Sequence, residues 1–240
     1  MTDAASERAA EGRKALIFLG VLAAAAVLAL VFGSRVVGLF TGPDVQIVSE
    51  LKATQAQTLS LEVPVEGAPP LVVHRHFFER ILVSSDLEAR RAEVSATLDA
   101  EGKFGATKVS SVGVERIHYR YEGGEWLPER GFAPRLTAVV ALLERRRRAL
   151  EAGDTQALSA LTSKGKGADD RELLQTVQSL AKPQVTAEAW YLRLEREEIL
   201  VREELRIRGD SKDRPVDLRE SKRLSIREEG GEFFFEPGLI

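Results

Sequence analysis

Residues 15–34, ALIFLGVLAAAAVLALVFGS, carry no charged side chain. At ~1.5 Å rise per residue, a helix of about 20 residues matches a hydrocarbon core of ~30 Å. No face of the run is polar, so it does not read as an amphipathic helix lying on a soluble core. The sequence therefore predicts a transmembrane helix at 15–34, a short polar tail at 1–14 and a linker at 35–44. Membrane lipid is the first partner this implies.

Orientation rests on the cations flanking the span. Arg8, Arg13 and Lys14 precede it; Arg35 and Lys52 follow. Acidic residues weigh little in this comparison. The balance places the N-terminus in the cytoplasm and the body outside it, as a single-pass protein of an inner membrane with a periplasmic or extracellular domain. A cleaved signal peptide is the competing reading, with Val31-Phe32-Gly33 as its small-residue site. Such peptides carry an apolar core of only ~7–15 residues.

The 240-residue chain has a net charge of −3. That leaves no basic surplus to neutralise phosphates, so nucleic acid is not an expected partner. Cysteine is absent, which removes disulfides, thiolate metal sites and a Cys nucleophile. Asparagine is absent too, and with it any N-glycosylation acceptor. Abundant Ala, Gly and Arg beside sparse Lys suggests GC-rich coding and a bacterial source.

Downstream of Thr41-Gly42-Pro43-Asp44, read as turn chemistry, residues 45–130 form a β-rich domain. Leu59, Leu61, Val63 and Val65 alternate with polar residues, as do Ala92, Val94, Ala96 and Leu98. A long strand follows over about 107–121, and Gly123-Gly124 turns it onto Trp126. The period then changes. After Pro134, Leu136, Val139, Val140, Leu143 and Leu150 fall at helical spacing. Asp154 reads as an N-cap and Asp169-Asp170 opens a third helix. Strands return from 184 to 238.

Two of the hairpins align without a gap at an offset of about 107 residues. Val94 falls on Val201, Leu98 on Leu205, Gly102 on Gly209 and Val109 on Val216; the turn Glu122-Gly123-Gly124-Glu125 falls on Glu229-Gly230-Gly231-Glu232. This predicts a structural duplication. On the helical side the repeat fails, because the counterpart of 134–152 is the end of the apolar span.

The stretch ALEAGDTQALSALTS at 149–163 and the final SIREEGGEFFFEPG resemble the helical start and closing hairpin of the nuclear transport factor 2-like superfamily. The resemblance covers 134–240 and implies a cone: helices packed on a curved antiparallel sheet, in an α+β fold. The layout of tail, span and outer domain is similar to that of bitopic scaffold subunits of type IV secretion and conjugation machines. Superfamily members that are enzymes, such as steroid isomerases and polyketide cyclases, are alike in placing Asp or His inside the cone.

No residue pattern points to a reaction. His74 and His76, two apart on a strand, would share a face and invite a metal only with a third ligand. Ser163-Lys164-Gly165-Lys166-Gly167 lacks the spacing of a phosphate loop. Four consecutive arginines, 145–148, spread around a helix; Arg146 and Arg147 lie nearest its apolar stripe and would meet anionic lipid or an acidic partner, the alternative being a solvated helix face favoured by the dipole near its C-terminal end. Phe233, Phe234 and Phe235 cannot all face one side of a strand, so a partner or the first domain should cover the outward ones. The expectation is an interaction or scaffold protein of a bacterial envelope or secretion assembly, and not an enzyme. It has no catalytic, metal or cofactor residues, and other envelope proteins or itself as partners. The alternative is a binding protein or an isomerase- or cyclase-like enzyme that holds a small apolar ligand in the second cone.

Overall fold

The computed structural model describes residues 42–163, 170–211 and 214–236. The predicted tail and span, with most of the linker, lie outside them. No helix among the described residues is long and apolar enough to cross a membrane.

Helix α1 (Pro43–Thr54) opens the described chain, followed by strands β1 (Leu59–Leu61), β2 (Leu71–Asp86), β3 (Arg91–Phe104), β4 (Thr107–Glu122) and β5 (Glu125–Pro128). Helices α2 (Pro134–Glu151), α3 (Thr155–Ala160) and α4 (Arg171–Gln178) come next. Strands β6 (Ala181–Leu194), β7 (Glu198–Asp210), β8 (Pro215–Glu229) and β9 (Glu232–Phe235) complete it. The α+β class and the three helices between the two groups of strands match the sequence reading.

Helix α1 corrects that reading. The sequence places residues 43–44 in a turn and 45 onward in β-rich chain. Pro43 instead sits in the first turn, where its missing N–H costs nothing, and Asp44 follows it there. Ile47 and Leu51, four apart, are fully buried on one helix face. The β-branched Val45, Ile47 and Val48 favour a strand by propensity, and packing on the sheet overrides it.

The nine strands form one sheet in the order β1-β2-β3-β4-β6-β7-β8-β9, with β5 beside β4. Neighbours are antiparallel except β4 and β6, which run parallel from Lys108↔Ala189 to Gly113↔Leu194. The sheet is thus two four-stranded meanders joined edge to edge. Gly113, at φ 138°, permits the last rung of the join, since a Cβ there would meet the Leu194 carbonyl oxygen at 2.1 Å.

The registers of the two meanders coincide at the offset seen in the sequence. Arg91↔Arg120 in β3–β4 becomes Glu198↔Arg227 in β7–β8, and Lys103↔Lys108 becomes Asp210↔Pro215. Glu122↔Glu125 becomes Glu229↔Glu232. A one-residue slip would turn every side chain to the other face, so this agreement carries the whole burial pattern from one unit to the other.

The join is fastened off the sheet as well. Thr107 Oγ1 donates to the Ala187 carbonyl at 2.9 Å, and the Phe104 and Trp190 rings lie 5.8 Å apart. From α2, Arg145 Nη2 donates to the Pro64 carbonyl at 2.9 Å and Arg148 Nη1 to that of Glu66 at 2.8 Å. Two of the four consecutive arginines therefore clamp the second unit onto the β1–β2 loop of the first.

Candidate functional site

The interior of the second unit encloses a cluster of charged side chains. Helix α2 projects Arg146 into it, and the side chain is 1% exposed. Its Nε and Nη2 donate to the two oxygens of Asp170 at 3.0 and 2.7 Å, a bidentate pair. Its Nη1 donates to Glu203 Oε2. Strand β6 adds Trp190, whose indole N–H donates to Glu203 Oε1 at 3.1 Å. Strand β8 adds Lys222, whose Nζ donates to Asp170 Oδ1 at 2.8 Å. The Phe235 ring lies 5.9 Å from the guanidinium carbon.

Each of these positions follows from local structure. Residue 146 falls on the buried side of α2 with Leu142, Leu143, Ala149 and Leu150. Glu203 lies in β7 opposite Trp190 of β6 and Lys222 of β8, so the three side chains share one face. Asp170 occupies the N-cap position of α4, but its side chain reaches Arg146 instead of capping the helix.

Electrostatically the cluster is closed. Burial alone would weaken the charge on Arg146, but Glu203 and Asp170 beside it hold its pKa above the ordinary value. Burial pushes the Asp170 carboxyl up, and Arg146 and Lys222 more than offset this, leaving it below its usual range. Arg146 and Lys222 balance Asp170 and Glu203 in formal charge. Surface clefts of about 910, 830 and 560 Å³ are lined by other residues, and none of them reaches this cluster.

The first unit differs at the matching places. Ala96 stands where β7 has Glu203, and Glu115 where β8 has Lys222. Its interior is mainly apolar, built from Ile47, Leu51, Val94, Ala96, Leu98, Ile117 and Trp126, with His76 and Thr54 as buried polar members. Tyr119 is also fully buried there, and its hydroxyl finds no partner among the described residues. Glu115 is buried at the join of the two units. It accepts from the backbone N–H of Arg135 at 3.0 Å and of Leu136 at 2.8 Å, at the start of α2. Ala133, the local N-cap residue, offers no side-chain acceptor, so β4 caps the helix from outside. Burial pushes the Glu115 carboxyl up to about 7, against those bonds and Arg135.

The sequence-predicted residues separate. Arg146 is enclosed, not on the surface, so the reading that turned it toward lipid or a partner is corrected. Arg147 is partly exposed, but its guanidinium bonds Glu144, Glu151 and the Val185 carbonyl. Phe235 is buried, Phe233 packs partly against the core, and Phe234, on the opposite face, pairs across from Arg227 half-buried. His74 and His76 do not share a face. A register shift between Val73 and Arg75 leaves His74 exposed, while His76 turns inward, its Nε2 3.1 Å from Thr54 Oγ1. No group of three or more metal-ligating side chains occurs among the described residues. Residues 164–167 of the lysine-glycine loop lie outside them. Sequence reasoning misses Glu203 because an acid in an alternating strand reads as solvated, and Asp170 because an acid opening a helix reads as its cap; nothing local marks their partner.

No family model matches the chain, and neither does any curated protein. Solved structures similar to it include a Shewanella frigidimarina protein described as a candidate ketosteroid isomerase. That likeness has 10% identity and TM-score 0.34, over 41% of this chain and 90% of that one. Another is a Streptomyces avermitilis protein of the NTF2-like family, described as a candidate dehydratase, with 14% identity and TM-score 0.33, over 44% and 97%. A third is an NTF2-like protein involved in plasmid conjugation, with 14% identity and TM-score 0.31, over 71% and 77%. The activities in those descriptions belong to those proteins.

Proposed function

We propose that this protein is a membrane-anchored interaction module, a scaffold subunit of a bacterial envelope or secretion assembly, and not an enzyme. The observation that carries this reading is the buried, mutually bonded charge cluster inside the second unit. Acid–base chemistry needs a titratable group facing a space that a substrate can enter. The acids in that interior instead face Arg146, Lys222 and Trp190, within hydrogen-bond distance. A ligand entering there would have to break a balanced buried charge network, at a cost of several kcal/mol.

What remains available is surface, and it is apolar in places. Phe77, Leu82, Val112, Tyr191, Leu200 and Leu218 are each more than a third exposed. Phe77, Val112 and Leu200 lie in one cross-strand row with Asp99 and Arg193 between them. Anchoring rests on the apolar run at 15–34. Recovery of the tagged full-length chain from detergent-extracted membranes tests the proposal. Envelope proteins held at fixed stoichiometry are expected. A solitary chain carrying an apolar small molecule would overturn it in favour of the binding-protein reading.

A further inference from the structure

The join between the two units is built once within the chain and half-built at each end of the sheet. Strand β4 has β3 on one side; on the other, β5 pairs residues 119–122 and β6 pairs residues 108–113. Strand β8 has β7 on one side, and β9 pairs its residues 226–229 on the other. Residues 215–220 stand where 108–113 stand in the first unit. Among the described residues no strand pairs with their outer edge.

The opposite end of the sheet is complementary. Val83 faces Val94 as Leu192 faces Val201, so β2 is the first unit's counterpart of β6. Strand β1 pairs only with residues 71–73 of β2, and among the described residues residues 81–85 have no strand on their outer edge. At the filled join, the inward side chains Val109, Ser111, Trp190 and Leu192 are 4%, 1%, 0% and 3% exposed. Their counterparts at the open edges are less covered: Leu218 is 44% exposed, and Val216, Ile81 and Val83 are only partly buried. Both edges thus present apolar side chains on the face that the internal join covers.

We propose that the β8 edge of one chain pairs in parallel with the β2 edge of a second copy of this chain. The contact repeats the internal β4–β6 join, head to tail. Carrying over that register sets Val216 against Ile81, Asp217 against Leu82, Leu218 against Val83 and Arg219 against Ser84. The copied ladder stops there: Glu220 stands in the place of Gly113, which alone admits the closest approach, and Pro215 has no N–H to give. Such a contact uses different patches on the two copies, so it is heterologous and extends into a ring or a filament. Charged Asp217 and Arg219 on the outer face and the irregularity between Glu79 and Leu82 keep the edges from indiscriminate pairing.

The inference rests on the interaction-module reading, and its failure would leave capture of other proteins standing. Absence of cysteine makes the test clean. Neighbouring strands lie ~4.8 Å apart, within the ~4.4–6.8 Å that a disulfide spans between Cα atoms. Full-length chains carrying Arg219→Cys and Ser84→Cys, mixed in detergent and oxidised, are expected to form a covalent heterodimer. Arg219→Cys with Leu87→Cys, three residues farther along, is expected to give at least tenfold less. Adding Leu218→Asp to the Arg219→Cys chain should cut the Ser84 cross-link by a similar factor. Absence of the heterodimer, or equal yield with Leu87→Cys, would overturn the proposal.

Discussion

Arg146 shows how one residue can decide what an interior is for. A buried guanidinium is tolerated only when its donors are met, and here Asp170 and Glu203 meet them. Arg146→Met would leave both acids enclosed, with Glu203 keeping only Trp190. It is expected to cost about 3–5 kcal/mol in urea denaturation. Adding Asp170→Leu and Glu203→Leu should restore part of that loss, because an apolar set of similar volume carries no desolvation penalty. If the triple variant is no more stable than the single one, burial of charge is not what the cluster costs. The same site sets a pH dependence. The Asp170 carboxyl is held below its ordinary 3.8 in the folded state, so near that pH the unfolded chain binds more protons than the native one. Its contribution is fully present above that range and is lost as pH falls through the depressed folded value. The urea midpoint should therefore fall on acidification more steeply in the wild type than in Asp170→Asn; equal slopes would contradict this assignment.

Among the elements, α2 depends most on distant sequence. Its own start offers no side-chain cap, and Glu115, twenty residues upstream in β4, accepts two of its free N–H groups. Glu115→Ala should cost about 1–3 kcal/mol in the same assay, as buried donors lose their acceptor. A change below about 0.5 kcal/mol would mean that water or neighbouring groups supply the cap. Helical spacing after Pro134 made α2 itself legible, but nothing in the local sequence reveals a cap that arrives from another element. Helix α1 was hidden for the converse reason: its Val and Ile content reads as strand, and only packing of Ile47 and Leu51 on the sheet settles the matter. The alternating strand faces and the two Glu-Gly-Gly-Glu turns are legible in the sequence, whereas β3 runs on to Phe104 and turns at Gly105, where no alternation marks the end. The buried cluster was not, since each of its members is an ordinary charged residue until the fold brings α2, α4, β6, β7 and β8 together.

At the scale of the molecule, duplication explains both the shared sheet and the contrast between its halves. The second unit has Glu203 where the first has Ala96, and it encloses an arginine against that carboxylate. The three surface clefts do not reach that charge cluster, and Phe77, Val112 and Leu200 are exposed on one face of the sheet. The sequence adds the one feature that lies outside the described residues, the apolar run at 15–34. The most direct measurement is the composition of what a tagged, full-length chain brings with it when membranes are sedimented, washed and extracted with detergent. The intact chain is expected to sediment with the membranes and to come out with protein subunits in fixed ratio. Intact chain left in the supernatant without detergent, or recovered alone with a small apolar molecule bound, would contradict it.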